Sequence, residues 1–313
     1  MSEHHDHLGI EAARLELLAP GIYAYIQPDG GWYVNNSTVL VGDHSVIVID
    51  AAATEARTRG LLSRIREITP LPVSTLLNTH WHTDHTNGNY LFRPATIVSQ
   101  QLCRQSVIEY GVSVKDPSSP FPDVEWGNLE VAPPFLTFES QISLFAGDSR
   151  AEFRFVGFPA HTTSDSYVWL EQERILVTGD LVFAGCTPLF SGGSLAGSRA
   201  AVQQLAALKP KLVVPGHGDV CGPEVFEDLL GYYDFVESVA RSAHSTGSTP
   251  LEACLALGEH AYSHWLDSER LVANVHRALA EFTGQAPGSP IDLPATRRDM
   301  IALNGGEPLR CFV

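Results

Sequence analysis

The chain has 313 residues, 44% hydrophobic and 18% charged, enough to bury a large core as one elaborate domain or two small ones and ordinary for a folded protein. Its 20 basic residues against 36 acidic ones leave a formal charge of −16, which argues against nucleic acid or anionic lipid as partners, since these are held through Lys and Arg. No apolar run approaches the roughly 18–20 residues needed to cross a bilayer. The first seven residues are polar and acidic, without the basic-then-apolar order of a secretory signal, and His4, His5 and His7 read as a frayed terminus rather than a metal site. Five dispersed cysteines (Cys103, Cys186, Cys221, Cys254, Cys311) form no CxxC pair, so a reduced, cytoplasmic protein is expected.

In chain order, residues 21–26 alternate like a strand and Pro28 to Gly31 reads as a turn. Two β-rich runs, 37–41 and 45–49, flank Gly42-Asp43 as a hairpin that ends at Asp50. Residues 54–68 place Ala56, Leu61, Leu62, Ile65 and Ile68 at helical spacing, with Pro70 as the stop. A strand is predicted at 73–77, another at 96–99, and a helix over 100–110. The stretch 111–134 carries Pro117, Pro120, Pro122, Pro133 and Pro134 with Phe121, Trp126 and little periodicity; it reads as a lid or as a disordered connection. Strands return at 135–138, 141–145, 151–156, 167–170 and 174–177, then a helix at 199–208 and a buried strand at 212–214. Beyond Gly222 the pattern is helical over 223–244, 250–258 and 268–282, and Pro287, Pro290 and Pro294 make the tail irregular before 300–303. Two rounds of strands followed by helices imply sheet packed on sheet with helices outside.

The chemistry concentrates in Asn78-Thr-His-Trp-His-Thr-Asp-His-Thr-Asn-Gly88, directly behind the strand at 73–77. His80, His82, Asp84 and His85 crowd into six residues, where imidazoles repel when protonated and compete for partners when neutral. A shared divalent ion would hold them, because zinc favours imidazole nitrogen and carboxylate oxygen; a histidine-rich surface loop is the bland alternative for this stretch alone. Three further donors follow later strands: His161, Asp180 in Thr-Gly-Asp, and His217 in Pro-Gly-His-Gly. Neighbouring strand ends lie about 5 Å apart, so donors placed just beyond them can meet on one rim. Seven donors exceed one tetrahedral ion and suit two, and no cysteine joins them; Cys221, near His217, reads as packing.

His80-x-His82-x-Asp84-His85, then His161, Asp180 and His217, resembles the HxHxDH…H…D…H motif of the metallo-β-lactamase superfamily over about residues 20–230. The resemblance implies a four-layer αβ/βα sandwich (α/β, α+β) at 1–245 with a helical C-terminal extension at 246–313 packed on the same domain. It further implies two Zn²⁺ ions at one edge between the sheets, with iron or manganese also suited to such ligands. His80, His82 and His161 would hold one ion, Asp84, His85 and His217 the other, and Asp180 would bridge. Asp84 and Asp180 would act in catalysis together with a metal-bound water or hydroxide. Asp50 would support a ligand from behind, or simply cap its strand, and Asp165 would accept a hydrogen bond from a ligand imidazole.

Three flanking strings, 30–36, 179–190 and 266–277, together with Asn304-Gly-Gly306, resemble the later-ring cyclases of aromatic (type II) polyketide pathways. That family implies a partly cyclised polyketide held as a thioester on an acyl carrier protein, closed by a metal-assisted aldol step and released by thioester hydrolysis. A generic hydrolase of a thioester, lactone or β-lactam is the alternative on the same fold, and a non-enzymatic metal-dependent binding protein a third. Trp32, Tyr33, Phe183 and Phe190 are the candidate walls for a flat apolar substrate. Arg57, Arg59, Arg64 and Arg66, or else Arg93 and Arg104, are the candidate basic contacts for the carrier protein. Oligomeric state is not legible.

Overall fold

The computed structural model describes residues 9–112, 120–121 and 124–313; His4, His5, His7, Pro117 and Pro122 lie outside them. Seven strands form the first sheet in sequence order: β1 (Arg14–Ala19), β2 (Ile22–Ile26), β3 (Ser37–Val41), β4 (Val46–Ile49), β5 (Val73–Asn78), β6 (Thr96–Gln100) and β7 (Leu136–Phe138). Five form the second, ordered β12-β11-β10-β9-β8: β8 (Gln141–Ala146), β9 (Ser149–Phe155), β10 (Ser166–Leu170), β11 (Ile175–Phe183) and β12 (Leu212–His217). The pairs β4–β5 and β11–β12 are parallel, so Asp50 and the histidine stretch follow the same edge of the first sheet, and the strands of Asp180 and His217 run the same way in the second.

The period of two in each strand sorts its residues between layers. In β4, Ile47 and Ile49 enter the core between the sheets, while Val46 and Val48 face the outer helix α1 (Glu55–Ile68). Leu77 and Leu76 of β5 divide in the same way. Across the sandwich, Phe153, Val168, Leu170 and Val177 close the inter-sheet core, and Trp169, Leu176 and Val182 turn outward. These outward residues pack on α4 (Leu195–Ala207), α5 (Val225–Thr246) and α7 (Arg270–Phe282). The order is therefore helix, sheet, sheet, helix. The remaining helices are α2 (Thr83–Thr86), α3 (Gln101–Tyr110), α6 (Pro250–Leu257) and α8 (Leu293–Leu303). Cys254, Leu271 and Met300 of the C-terminal helices share one core cluster with Tyr167 and Leu205, so the C-terminal segment is packed against the second sheet.

Four features depart from the sequence expectations. Arg14–Ala19, for which the sequence predicts no element, is strand β1, antiparallel to β2; its Leu and Ala residues are good helix formers and hide the pairing. α4 begins at Leu195, capped by the Ser194 hydroxyl, four residues before the expected start. β11 continues through Gly179 to Phe183, so Asp180 sits within a strand and not on a loop beyond it. The tail is not irregular: Pro294 occupies the first turn of α8, where its missing N–H costs nothing, and Asp292 caps the helix by accepting from Ala295 N.

Candidate metal centre

His80 and His82 lie just past β5, with Asp84 and His85 on the single turn α2; His161 is on the loop after β9, and His217 closes β12. Among the described residues, two groups of four side chains each offer ligand atoms within 4.8 Å of one another: His80, His82, His161 and Asp180, and Asp84, His85, Asp180 and His217. Asp180 belongs to both. Its Oδ1 lies 3.1 Å from His85 Nε2, and its Oδ2 lies 3.3 Å from His161 Nε2 and 3.4 Å from His217 Nε2. His161 Nε2 is 2.8 Å from His82 Nδ1, and His217 Nε2 is 3.2 Å from Asp84 Oδ2. The seven residues named from the sequence are thus brought together.

The outer ring nitrogens explain why the inner ones converge. His85 Nδ1 donates to Asp50 Oδ2 at 2.9 Å, His217 Nδ1 to the Gly30 carbonyl at 3.1 Å, and His161 Nδ1 to the Leu189 carbonyl. Each such bond keeps a proton on Nδ1 and turns Nε2 toward its neighbours. Asp50 is itself held by the Thr79 amide at 2.8 Å and the Thr79 hydroxyl at 2.7 Å. Asp165 does not reach an imidazole. Its carboxylate accepts from the amide and hydroxyl of Thr162, at 2.7 and 2.6 Å, and so shapes the loop that carries His161. Backbone clearance matters as well: a Cβ at Gly216 would lie 1.9 Å from Asp180 Oδ1, so only glycine leaves that carboxylate its place.

Burial disfavours every charge here, and the neighbours decide which survive. Burial and the cationic character of His85 hold His80 well below the ordinary histidine range; burial and His161 push His82 down to about 3. His85 is raised well above that range because Asp180, Asp50 and Asp84 outweigh its burial, and Asp180 with Asp84 lifts His217 to about 9 against the same penalty. In return the imidazoles overcome burial at both carboxylates, holding Asp84 at about 2 and Asp180 well below the usual value. His80 Nε2, His85 Nε2 and Asp180 Oδ1 are nonetheless buried without a hydrogen-bond partner. Such atoms are costly unless something else binds them. Two divalent cations with nitrogen and oxygen preference fit this donor set.

Asp84, Asp180, His82, His161 and His217 open on a cleft of about 260 Å³. Its walls include Trp32, Tyr33, Trp81, Phe121, Trp126 and Phe183. Trp32 is fixed on both sides: its Nε1 donates to Glu269 at 2.6 Å, and the Arg270 guanidinium lies 4.0 Å from its ring centre. Tyr33 meets Phe121 and Trp126 edge to face at 5.1 and 5.0 Å, and Phe183 stacks on His217 with 4° between the planes. Phe190 is not a wall; it is 1% exposed and packs on Tyr233 beneath the site. Phe121 and Trp126 come from the stretch read as a lid or a disordered connection, whereas sequence reasoning missed Trp81 as a wall and missed Leu293, Thr296, Arg297 and Met300 of α8 altogether. For Trp81 the signal was present, since it stands between His80 and His82.

The candidate carrier-protein contacts fare differently. Arg57 is buried, bonded to Gln27 Oε1 at 2.9 Å and to the Phe312 carbonyl, so it presents no surface charge. Arg59 and Arg64 pair with Glu55 and Glu67 at 2.7 and 3.0 Å, while Arg66 is exposed. Arg93 pairs with Glu130, and Arg104 donates to the Pro134 carbonyl. Cys221 contacts the Val213 carbonyl and stands apart from both donor groups; all five cysteines are free thiols. No helix of the described residues is long and apolar enough to cross a membrane.

Comparison with known proteins agrees with this geometry. The family described as "Metallo-beta-lactamase superfamily" matches residues 30–217, more than half of the chain. A metallo-β-lactamase type 2 of Bacteroides fragilis is 26% identical over 72% of this chain and 87% of its own. An atrochrysone carboxyl ACP thioesterase of Aspergillus fumigatus is 24% identical over 69% of this chain, and thioesterase pkgB of Emericella nidulans 30% identical over 58%. The chain spans 63% and 46% of these two thioesterases, less than two thirds of either. Among solved structures, a metallo-β-lactamase from Pontibacter korlensis superposes with a TM-score of 0.57 at 19% identity, covering 71% of this chain and 99% of that one, a likeness of fold.

Proposed function

The chain belongs to the metallo-β-lactamase superfamily, and from that premise we propose that it is a dinuclear-metal cyclase and thioesterase acting on a partly cyclised aromatic polyketide borne by an acyl carrier protein. The observation that carries this reading is the set of aromatic walls, Trp32, Tyr33, Trp81, Phe121, Trp126 and Phe183, standing over the two donor groups. A flat, apolar, oxygen-rich substrate suits a cleft with stacking sides and a polar floor. Two of the relatives are named as thioesterases, which supports the release step.

His80, His82 and His161 would hold one metal, Asp84, His85 and His217 the other, with Asp180 between them. Bound there, two divalent zinc ions, or iron or manganese, would polarise a carbonyl and acidify a water. In hydrolysis the water oxygen bonds to the thioester carbon, the C–S bond breaks, and the carrier thiol leaves with a proton. Asp84, which like Asp180 opens on the cleft and is held ionised, would receive the proton that the water gives up. In ring closure an enol carbon bonds to a ketone carbon, the ketone oxygen gains a proton, and loss of water completes the aromatic ring. The aromatic walls contribute by holding the chain folded, with its reacting carbons adjacent and bulk water excluded.

Zinc-loaded protein incubated with a small acyl thioester, a β-lactam and a bicyclic polyketide mimic separates the readings, with products identified by mass spectrometry. Ring closure and thioester cleavage by wild type, both lost in Asp180→Asn, are expected. Turnover of the β-lactam alone would replace this reading with a lactamase.

A further inference from the structure

Residues 184–194 link β11 to α4 without helix or strand of their own, apart from a single bridge between Cys186 and Leu266. Thr187, Pro188 and Phe190 in this link are nevertheless buried. A buried backbone must find partners for its carbonyls and amides, and here no sheet or helix of its own supplies them. They come from α7, which lies beyond residues 30–217 of the family match. Arg270, Asn274 and Arg277, at i, i+4 and i+7, form one face of that helix and are 2%, 0% and 0% exposed.

Each of the three is bonded to the main chain of the link. Arg270 Nη1 donates to the Thr187 carbonyl at 2.9 Å, and Arg277 Nε and Nη2 donate to the Ser191 carbonyl at 3.0 and 2.7 Å. Between them, Asn274 Nδ2 donates to the Pro188 carbonyl at 2.7 Å, and Asn274 Oδ1 accepts from the Phe190 amide at 3.0 Å. The same Nδ2 donates to the Tyr232 hydroxyl at 2.9 Å. A backbone amide can only donate, so Oδ1 must face Phe190 and the orientation of the side chain is settled. Asn274 thus brackets Leu189, whose own carbonyl accepts from His161 Nδ1. Leu189 and Ser191 also border the cleft.

We infer that Asn274 is a positioning residue for the group His80, His82, His161 and Asp180. By gripping the main chain on both sides of Leu189 it aims that carbonyl at His161 Nδ1, and so sets where His161 Nε2 stands beside His82 and Asp180. The inference rests on the dinuclear reading proposed above, and it gives the string 266–277 a task at the centre. A neutral amide suits the task because it offers peptide groups an acceptor and a donor together, with no charge to bury. In the other group, His85 is supported by Asp50 and His217 by the Gly30 carbonyl, and no bond of Asn274 goes to either support.

Zinc affinity, measured by competition with a chromophoric chelator, tests this without turnover. Asn274→Leu keeps the size and loses both bonds. It is expected to weaken one of the two ions about tenfold, the lower end of what losing a ligand's support costs, and to leave the other as in wild type. The weakening should vanish in a His161→Ala background and persist in His217→Ala, the pattern of a coupled pair. In metal-free protein, hydrogen exchange across 187–193 should quicken in Asn274→Leu. Val275, 0% exposed on the same turn of α7, provides the control: Val275→Ala opens a cavity without removing these bonds, so it should lower the thermal midpoint and change neither affinity. Should Asn274→Leu fail to fold, judged by circular dichroism, Asn274→Asp carries the comparison, since it keeps the acceptor for Phe190 and loses the donor to Pro188. Wild-type affinity for both ions in the variant that folds overturns the inference. So does equal weakening in the His161→Ala background, or by Val275→Ala. Zinc binding left unchanged by His161→Ala itself would take down the metal reading, and the inference with it.

Discussion

At the scale of single residues, the centre is governed by who holds each ring from behind. His85 shows this most directly. It is fully buried, its Nε2 points at Asp180 and Asp84, and its Nδ1 is bonded to Asp50, which Thr79 holds by two further hydrogen bonds. Asp50 also takes a left-handed conformation with φ 63°, a strained setting for a residue with a side chain, kept because the carboxylate is anchored on both oxygens. An amide in its place would keep the size and lose the charge. Asp50→Asn is therefore expected to weaken metal affinity by about 10–100-fold, the usual cost of removing such a support. Competition against a chromophoric chelator measures this. Affinity equal to wild type would show that Asp50 merely caps its strand.

At the scale of elements, the link between loop 28–33 and the start of α7 sets the substrate wall. Trp32 is gripped by Glu269 and Arg270, and Arg270 in turn by Asp267, which is buried and has φ 55°. Burial pushes the Asp267 carboxyl up to about 6, with Glu269 adding repulsion and Arg270 opposing both. Its folded pKa thus exceeds the ordinary carboxylate value. The stabilisation that protonation lends the fold is fully present below about 4 and is lost as pH rises through about 6. Asp267→Asn does not titrate. The thermal midpoint of wild type relative to that variant should therefore fall between pH 4 and pH 6.5, by an amount on the order of 3 kcal/mol in stability, and then level off. A difference that stays flat across the range would mean Asp267 is ionised throughout. The comparison of slopes is insensitive to the constant cost of leaving Arg270 without its partner.

Elements also show where reading the chain succeeded and stopped. The paired strands and α1 were legible because their periodicities are local, and the seven donors because four lie within six residues and the other three each follow a strand-patterned run. What escaped was set by tertiary contact. Leu15 to Ala19 favours helix by composition and becomes strand by pairing with β2. Pro294 reads as a breaker and turns out to start a helix. Asp165 and Phe190 had suitable neighbours in sequence, yet the Thr162 hydroxyl claimed one and Tyr233 the other. Arg57 sat in an apparent basic cluster, but the helix turns it inward to Gln27.

On the scale of the whole molecule, the donor groups join the two sheets. The first sheet supplies His80, His82, Asp84 and His85 beyond β5; the second supplies His161, Asp180 and His217 from β9 to β12. Each four-residue group draws from both sides. Protein contacts already bridge the same edge: the Ser166 amide donates to the Thr79 carbonyl at 2.8 Å, and Asn36 Nδ2 to the Pro215 and Gly218 carbonyls at 3.0 and 2.6 Å. A metal bound to either group would cross-link the halves of the sandwich and bind the folded chain alone, so it must stabilise folding by mass action. With each ion at about 100 times its dissociation constant the gain is about 2.7 kcal/mol per site. For a domain this large, two sites correspond to a rise in thermal midpoint on the order of 10 °C. Zinc-loaded protein and protein treated with excess chelator, compared by scanning calorimetry, should differ by that amount. Asp180→Asn weakens both groups at once and should lose most of the shift, whereas Asp84→Asn touches one group and should keep about half. A shift unaffected by Asp180→Asn would mean that the metal binds elsewhere and that the convergence of these donors serves the fold by itself.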